Sequence, residues 1–254
     1  MKHPAYWLRC FFTALLLYPT VVLSAASRGT VETLRLSGGA EVPLTVFSAQ
    51  GQTLLLWLPS ESGMVAADHQ AAAVIAKSGV EVWLPDLHAA YFLPIVRSSM
   101  QQIPVADVAR VIAQAQQRGK TVYLISSGNG AALALQAVAQ LGNNKSRLGG
   151  AILFSPNLFT GTPEPGEEAK YLPVTSRTRL PIFIVQPDYS PWKWRVEELQ
   201  SRLQRGGSKV KIQTLPGIRD RFYYRGDASP TEQAWVPRVP ALILNALKSL
   251  KEKP

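Results

Sequence analysis

Residues Thr121 to Gly142 read TVYLISSGNGAALALQAVAQLG. Val122 to Ile125 is a short apolar, partly β-branched run, the composition of a strand buried on both faces. Ser126-Ser127-Gly128-Asn129-Gly130 follows, and then an Ala/Leu run long enough for a helix, with Gly142 to stop it. A buried strand, a sharp small-residue turn and a nearly all-apolar helix make one unit of a parallel sheet.

The rest of the chain supplies more units of the same kind. Upstream, Val31–Leu36 and Glu41–Phe47 read as antiparallel strands around Ser37-Gly38-Gly39, and Thr53–Leu58 as a buried strand ending at Pro59. Asp68 is placed to cap a helix through Ala71, Val74 and Ile75 to Gly79. Val80–Leu84 is the next strand, and Val105, Val108, Ile112 and Ala115 fall at helical spacing before Gly119. Downstream come strands at Gly150–Phe154, Pro181–Val185 and Val210–Leu215. The segment from Asn157 to Arg179 is rich in proline and lacks periodicity, as expected of an excursion over one end of the sheet. Val196, Leu199 and Leu203 mark a helix with a Glu198–Arg202 pair, and Pro240 opens a final helix ending in Lys248 and Lys251. Strands alternating with helices predict an α/β fold, a mostly parallel central sheet with helices on both faces. No internal repeat interrupts the pattern.

The N-terminus has a different composition. Lys2 and Arg9 precede an apolar run from Cys10 to Leu23 without an acid, and Ser24-Ala25-Ala26 offers small residues for cleavage. Residues 1–26 are expected to be a secretory signal peptide, leaving 27–254 as a single domain, periplasmic or secreted. The alternative is an uncleaved signal that anchors the chain in a membrane. Cys10 is the only cysteine, so the mature part has no disulfide and no thiol chemistry. Lys and Arg number 27 against 17 Asp and Glu; without Lys2 and Arg9 the balance is 25 against 17, or +8. That excess suits a negatively charged partner. No basic run forms a nucleic-acid-binding module. His69 and His88 are the only histidines outside the signal, which provides no metal-ligand spacing. Gly128-x-Gly130 lacks the third glycine of a dinucleotide loop, and no cofactor is expected.

The strand–turn–helix at Thr121–Gly142 resembles the nucleophile elbow of the α/β-hydrolase superfamily, which normally reads Gly-x-Ser-x-Gly. Three further segments resemble that superfamily in the same order. Trp83-Leu84-Pro85-Asp86-Leu87-His88 is similar to a strand end that often reads Pro-Asp-Leu-Arg-Gly, Pro181–Asp188 to the strand presenting the catalytic acid, and Leu215-Pro216-Gly217 to the turn leading to the catalytic histidine. The resemblance implies an α/β-hydrolase-like domain with a minimal cap and a triad running Ser, then Asp or Glu, then His.

The triad itself is degenerate. Gly128 stands where the nucleophile belongs, Asp188 is the candidate acid, and Asp220 falls where the histidine is expected. A serine hydroxyl needs an imidazole within hydrogen-bond reach, and that imidazole needs a carboxylate. No histidine follows His88, so no shift of register restores the base. These absences lead to the expectation of an exported pseudoenzyme, a binding or accessory protein. The alternative is an active serine esterase or peptidase with Ser126 or Ser127 as a displaced nucleophile and His88 as an out-of-order base. Against that alternative, both serines make turn hydrogen bonds and His88 is an ordinary loop residue.

Aromatic and cationic residues gather in the loops at the functional end of the sheet, where open α/β sheets bind ligands. Trp192, Trp194, Arg219, Arg221 and Tyr223 are the expected ligand-binding rim, suited to an anionic small molecule, a glycan, a lipid headgroup or a protein. The competing expectation is that the tryptophans pack on a helix and the arginines pair with Glu164, Glu167 and Glu168.

Overall fold

A computed structural model of the chain describes residues 29–142, 147–162 and 167–252. The proposed signal peptide, its cleavage site and Glu164 lie outside the described residues. In chain order the elements are β1 (Thr30–Arg35), β2 (Glu41–Phe47), β3 (Thr53–Trp57), α1 (Ala66–Lys77), β4 (Glu81–Pro85), α2 (Leu87–Ala90), α3 (Val105–Gln117), β5 (Thr121–Ser127), α4 (Asn129–Gln140), β6 (Leu148–Phe154), β7 (Ile182–Pro187), α5 (Val196–Arg205), β8 (Val210–Leu215), α6 (Pro230–Trp235) and α7 (Val239–Lys251). Short 3₁₀ turns at Arg97–Gln101, Pro173–Ser176, Lys193–Arg195 and Val236–Arg238 fill the connections.

The strands form one sheet in the order β1-β2-β4-β3-β5-β6-β7-β8. β2 runs antiparallel to both β1 and β4, and every other neighbour pair is parallel. Parallel neighbours need crossovers, and these helices cover both faces. Val108 and Ile112 of α3, Leu133 and Leu135 of α4, and Leu199 and Leu203 of α5 pack into one apolar layer. Ala71 and Ile75 of α1, with Leu242, Ile243 and Leu247 of α7, fill the opposite one. β3 is buried along its whole length, which explains why its sequence is an unbroken apolar run rather than an alternation.

Several local expectations are corrected. β5 extends through Ser127, so Ser126 and Ser127 are strand residues and not turn residues. α1 begins at Ala66 with Val65 as N-cap; Asp68 sits three residues in, where its carboxylate accepts the Val65 N–H at 3.0 Å. Glu198 pairs with Arg195 instead of Arg202, whose guanidinium lies 4.8 Å from the centre of the Tyr171 ring. The sequence pattern missed α6, a single turn and a half whose start is fixed by a Ser229–Glu232 capping box with Pro230 at the first position.

Candidate active site

The elbow backbone is intact. Between β5 and α4, Gly128 has φ 52° and ψ −125°, a left-handed conformation that a side chain rarely adopts outside a strained functional turn. Two hydrogen bonds stitch it to the end of β6: the Gly128 N–H donates to the Phe154 carbonyl at 3.1 Å, and the Asn157 N–H donates to the Gly128 carbonyl at 3.0 Å. Gly130 is required by close approach, since a Cβ there would collide with the Pro59 carbonyl and Ser126 Oγ.

A cavity of about 710 Å³ opens at this elbow. Ser127, Gly128, Ser155, Asp220 and Glu61 supply its polar wall; Phe154, Trp192, Tyr223 and Tyr224 supply aromatic surface; Arg97 and Arg221 stand at its edge. Ser155 is the residue immediately after β6, one strand over from the elbow, a lateral step of about 4.8 Å. Its φ of 42° is positive without being glycine, so its backbone is held in a costly conformation. Its hydroxyl donates to Asp220 Oδ1 at 2.5 Å. Ser190, after β7, donates to Asp220 Oδ2 at 3.0 Å. Burial pushes the Asp220 carboxyl up from its ordinary value and the Glu61 charge adds to this, while the two serine hydroxyls and Arg221 pull it down; the net shift is upward. Asp220 is thus a partly buried carboxylate with a hydroxyl on each oxygen, in the loop after β8 where the resemblance placed the base.

The sequence-derived candidates divide. Ser127 borders the cavity, but Ser126 is buried behind it, its Oγ 3.4 Å from the Pro59 carbonyl. His88 is not a loop residue: it is 2% exposed in α2, and among the described residues neither ring nitrogen has a hydrogen-bond partner. Burial lowers its pKa. α2 follows β4, which is two strands from β5, about 10 Å across the sheet, and His88 is not part of the cavity wall. The out-of-order base is therefore corrected. Asp188 is also corrected: it pairs with Lys193, which holds its carboxyl below the ordinary range, and no histidine lies beside it.

The expected rim splits as well. Trp192, Arg221 and Tyr223 border the cavity, with Trp192 also stacked on Phe159 at 5.1 Å. Trp194 and Arg219 do not. Trp194 is 86% exposed beside Lys193 and outside the cavity wall. Arg219 is held by the Glu232 carboxylate at 2.6 and 2.8 Å and by Asp227 at 3.1 Å, so it braces α6 against the loop after β8. Tyr223 is buried, and burial together with nearby Asp68 raises its phenol pKa well above the ordinary value. Burial also raises Asp68, to about 6. Among the described residues no group of three or more His, Cys, Asp and Glu side chains gathers as a metal site would require, and no helix is long and apolar enough to cross a membrane.

Reading the sequence missed Ser155, Ser190 and Glu61. The signal for Ser155 was its place immediately after a buried strand; nothing local marked Glu61 or Ser190 as facing the same cavity.

No family model matches the sequence, and neither does any curated protein. Solved structures do match in shape. Esterase Est22 superposes with a TM-score of 0.68 at 12% identity, over 90% of this chain and 83% of its own. Esterase 2 of Thermogutta terrifontis, phosphorylated by paraoxon, gives 0.63 at 15% identity over 90% and 97%. A Klebsiella pneumoniae protein assigned as a dienelactone hydrolase gives 0.64 at 13% identity over 86% and 98%. The chain has the α/β-hydrolase fold. The expectation of a pseudoenzyme that only binds does not stand: the proteins sharing this shape over nearly the whole chain are esterases and hydrolases. The names of these neighbours favour the hydrolase alternative, without placing its nucleophile.

Proposed function

We propose that this chain is a hydrolase of small ester-type substrates, working in the elbow cavity with its nucleophile displaced one strand, from the Gly128 position to Ser155. The observation that carries the reading is the Ser155–Asp220 hydrogen bond at the cavity wall. A nucleophilic hydroxyl needs a base in contact with it and a third group to orient that base. Asp220 is the base and Ser190 the orienting group.

As Ser155 Oγ attacks the ester carbonyl, its proton passes to Asp220 and then to the departing alkoxide, leaving an acyl-serine. Water then gives a proton to Asp220 while its oxygen attacks the acyl group, and Ser155 recovers its proton as the acid leaves. Burial makes Asp220 more basic than an ordinary carboxylate, which helps the first step. An unperturbed aspartate is still about 2.6 pKa units less basic than an unperturbed imidazole, so turnover is expected to be slow beside that of an enzyme with a full triad.

The neighbours' activities support the ester class. Ser127 is the second reading, because it borders the same cavity and faces the Tyr223 phenol. Hydrolysis of p-nitrophenyl acetate and butyrate by the wild type, Ser155→Ala and Ser127→Ala separates the two. Loss confined to Ser155→Ala supports the proposal; loss confined to Ser127→Ala moves the nucleophile to Ser127; no wild-type turnover above buffer overturns the hydrolase reading. Export through residues 1–26, leaving 27–254 as one domain, belongs to the same proposal. N-terminal sequencing of the exported protein, beginning near Ala26, checks it.

A further inference from the structure

One charged group on the cavity wall bears on that chemistry only through its charge, which adds to the basicity of Asp220. Glu61 lies in the turn after β3, where the Gly63 N–H donates to the Ser60 carbonyl at 3.0 Å. Two more contacts pin the turn: the Ser62 N–H donates to Ser60 Oγ at 3.1 Å, and the Tyr224 hydroxyl donates to Ser62 Oγ at 3.3 Å. From this base the Glu61 side chain reaches across to the elbow. Its Oε2 accepts the Asn129 N–H at 2.9 Å, and both its oxygens lie 2.6 Å from where a Cβ on Gly128 would stand.

Position 129 gives this contact its meaning. It follows the elbow tip, and in an elbow whose tip carries the nucleophile the N–H of the next residue receives the substrate's carbonyl oxygen as negative charge develops on it. An ionised carboxylate is a stronger acceptor than a neutral ester carbonyl. The amide's one hydrogen does not serve both well. Glycine at 128 is what leaves room, because any β-carbon there would push the carboxylate away.

We propose that Glu61 is an internal competitor for the Asn129 amide, seated on it in the empty cavity and swinging out on its flexible side chain when an acyl group enters. The identity of the incoming group rests on the hydrolase reading; the occupancy of the amide by Glu61 does not. Glu61 is a gating residue in this account; its carboxylate hydrogen-bonds the Asn129 amide and neither takes nor gives the Ser155 proton.

The test has a binding arm and a kinetic arm, both on the full chain. In the first, butyrate is titrated into the wild type, Glu61→Gln and Glu61→Ala while the Asn129 amide is followed by NMR, with butyramide as the neutral control. Glu61→Ala should bind butyrate at least tenfold more tightly than the wild type, and its Asn129 amide should move on titration. Glu61→Gln, a weaker acceptor of the same size, should fall between. Equal butyrate affinity in all three, or an Asn129 resonance indifferent to the Glu61 substitutions, overturns the proposal. In the second arm, Glu61→Ala should lower KM for p-nitrophenyl butyrate, with at most a small fall in kcat from the charge lost beside Asp220. A large fall in kcat would make Glu61 catalytic and overturn the gating role. If no variant hydrolyses the ester, the hydrolase reading fails while the binding arm still decides the competitor.

Discussion

The elbow after β5 and the turn after β6 lie side by side, hydrogen-bonded to each other, and they have parted in opposite directions. At Gly128 the backbone keeps the left-handed shape that presents a nucleophile, and there is no side chain to present. At Ser155 a hydroxyl sits on a backbone with positive φ, against a partly buried carboxylate, in a turn that carries no nucleophile motif. Backbone geometry and side-chain chemistry have come apart by one strand. On the proposed reading, the elbow keeps its backbone while the attacking group is supplied from next door.

The sharpest way to break this comparison is to remove each hydroxyl in turn. Ser155→Ala should cut kcat/KM for an activated ester by at least about 100-fold, the scale on which losing one member of a catalytic pair is felt. Ser126→Ala should change it less than twofold, since that hydroxyl is buried behind the wall. Gly128→Ser, which returns a hydroxyl to the elbow, should give no gain: the new side chain would meet Glu61 and would have no imidazole to activate it.

The pH profile sharpens the role of Asp220. It acts as a base only when ionised, and its pKa is raised, so activity should rise with pH through a limb lying above the ordinary aspartate value of 3.8. Asp220→Asn should abolish both the limb and most of the turnover. A limb unchanged in that variant would assign the titration to another group.

Asp68, beside Tyr223 on the far side of the cavity wall, makes a stability test. Its folded pKa of about 6 exceeds the ordinary 3.8, so between those values the folded chain holds a proton that the unfolded chain releases. The contribution is present in full below about pH 4 and is lost as pH rises through 6, a cost of about 3 kcal/mol at neutral pH. Asp68→Asn keeps an oxygen for the Val65 N–H and removes the ionisation. Its urea-unfolding free energy should exceed that of the wild type at pH 7 and change less between pH 4.5 and 7.

The smallest effect is expected at Arg219. Glu232 is buried and leans on this guanidinium. Arg219→Ala should lower the melting temperature by several degrees and leave ester hydrolysis nearly unchanged, in contrast to substitutions at Asp220, its neighbour in sequence.

That contrast explains what the sequence could and could not reveal. The sheet was legible because buried parallel strands are written as short apolar runs, such as Leu54–Trp57 and Ile182–Val185, whose meaning is local. The elbow was legible for the same reason: its strand, the glycines at 128 and 130 and the apolar helix follow one another in one short stretch. The site depends on pairs distant in sequence. Ser155 and Asp220 are 65 positions apart, and Glu61 and Asn129 are 68. Ser155, Asp220 and Glu61 lie in loops and Asn129 opens α4, and none of these stretches says anything about its partner. Aromatic and cationic residues clustered in sequence misled for the complementary reason: Arg219 and Trp194 share loops with the cavity residues but turn elsewhere, one to α6 and the other to solvent.

The most direct test of the displaced nucleophile is covalent capture. The full chain is treated with paraoxon, digested, and the modified peptide located by mass spectrometry. The account predicts a diethylphosphoryl group on Ser155, lost in Ser155→Ala and retained in Ser127→Ala. A label on Ser127, or on neither serine while an esterase control is fully labelled, would contradict it.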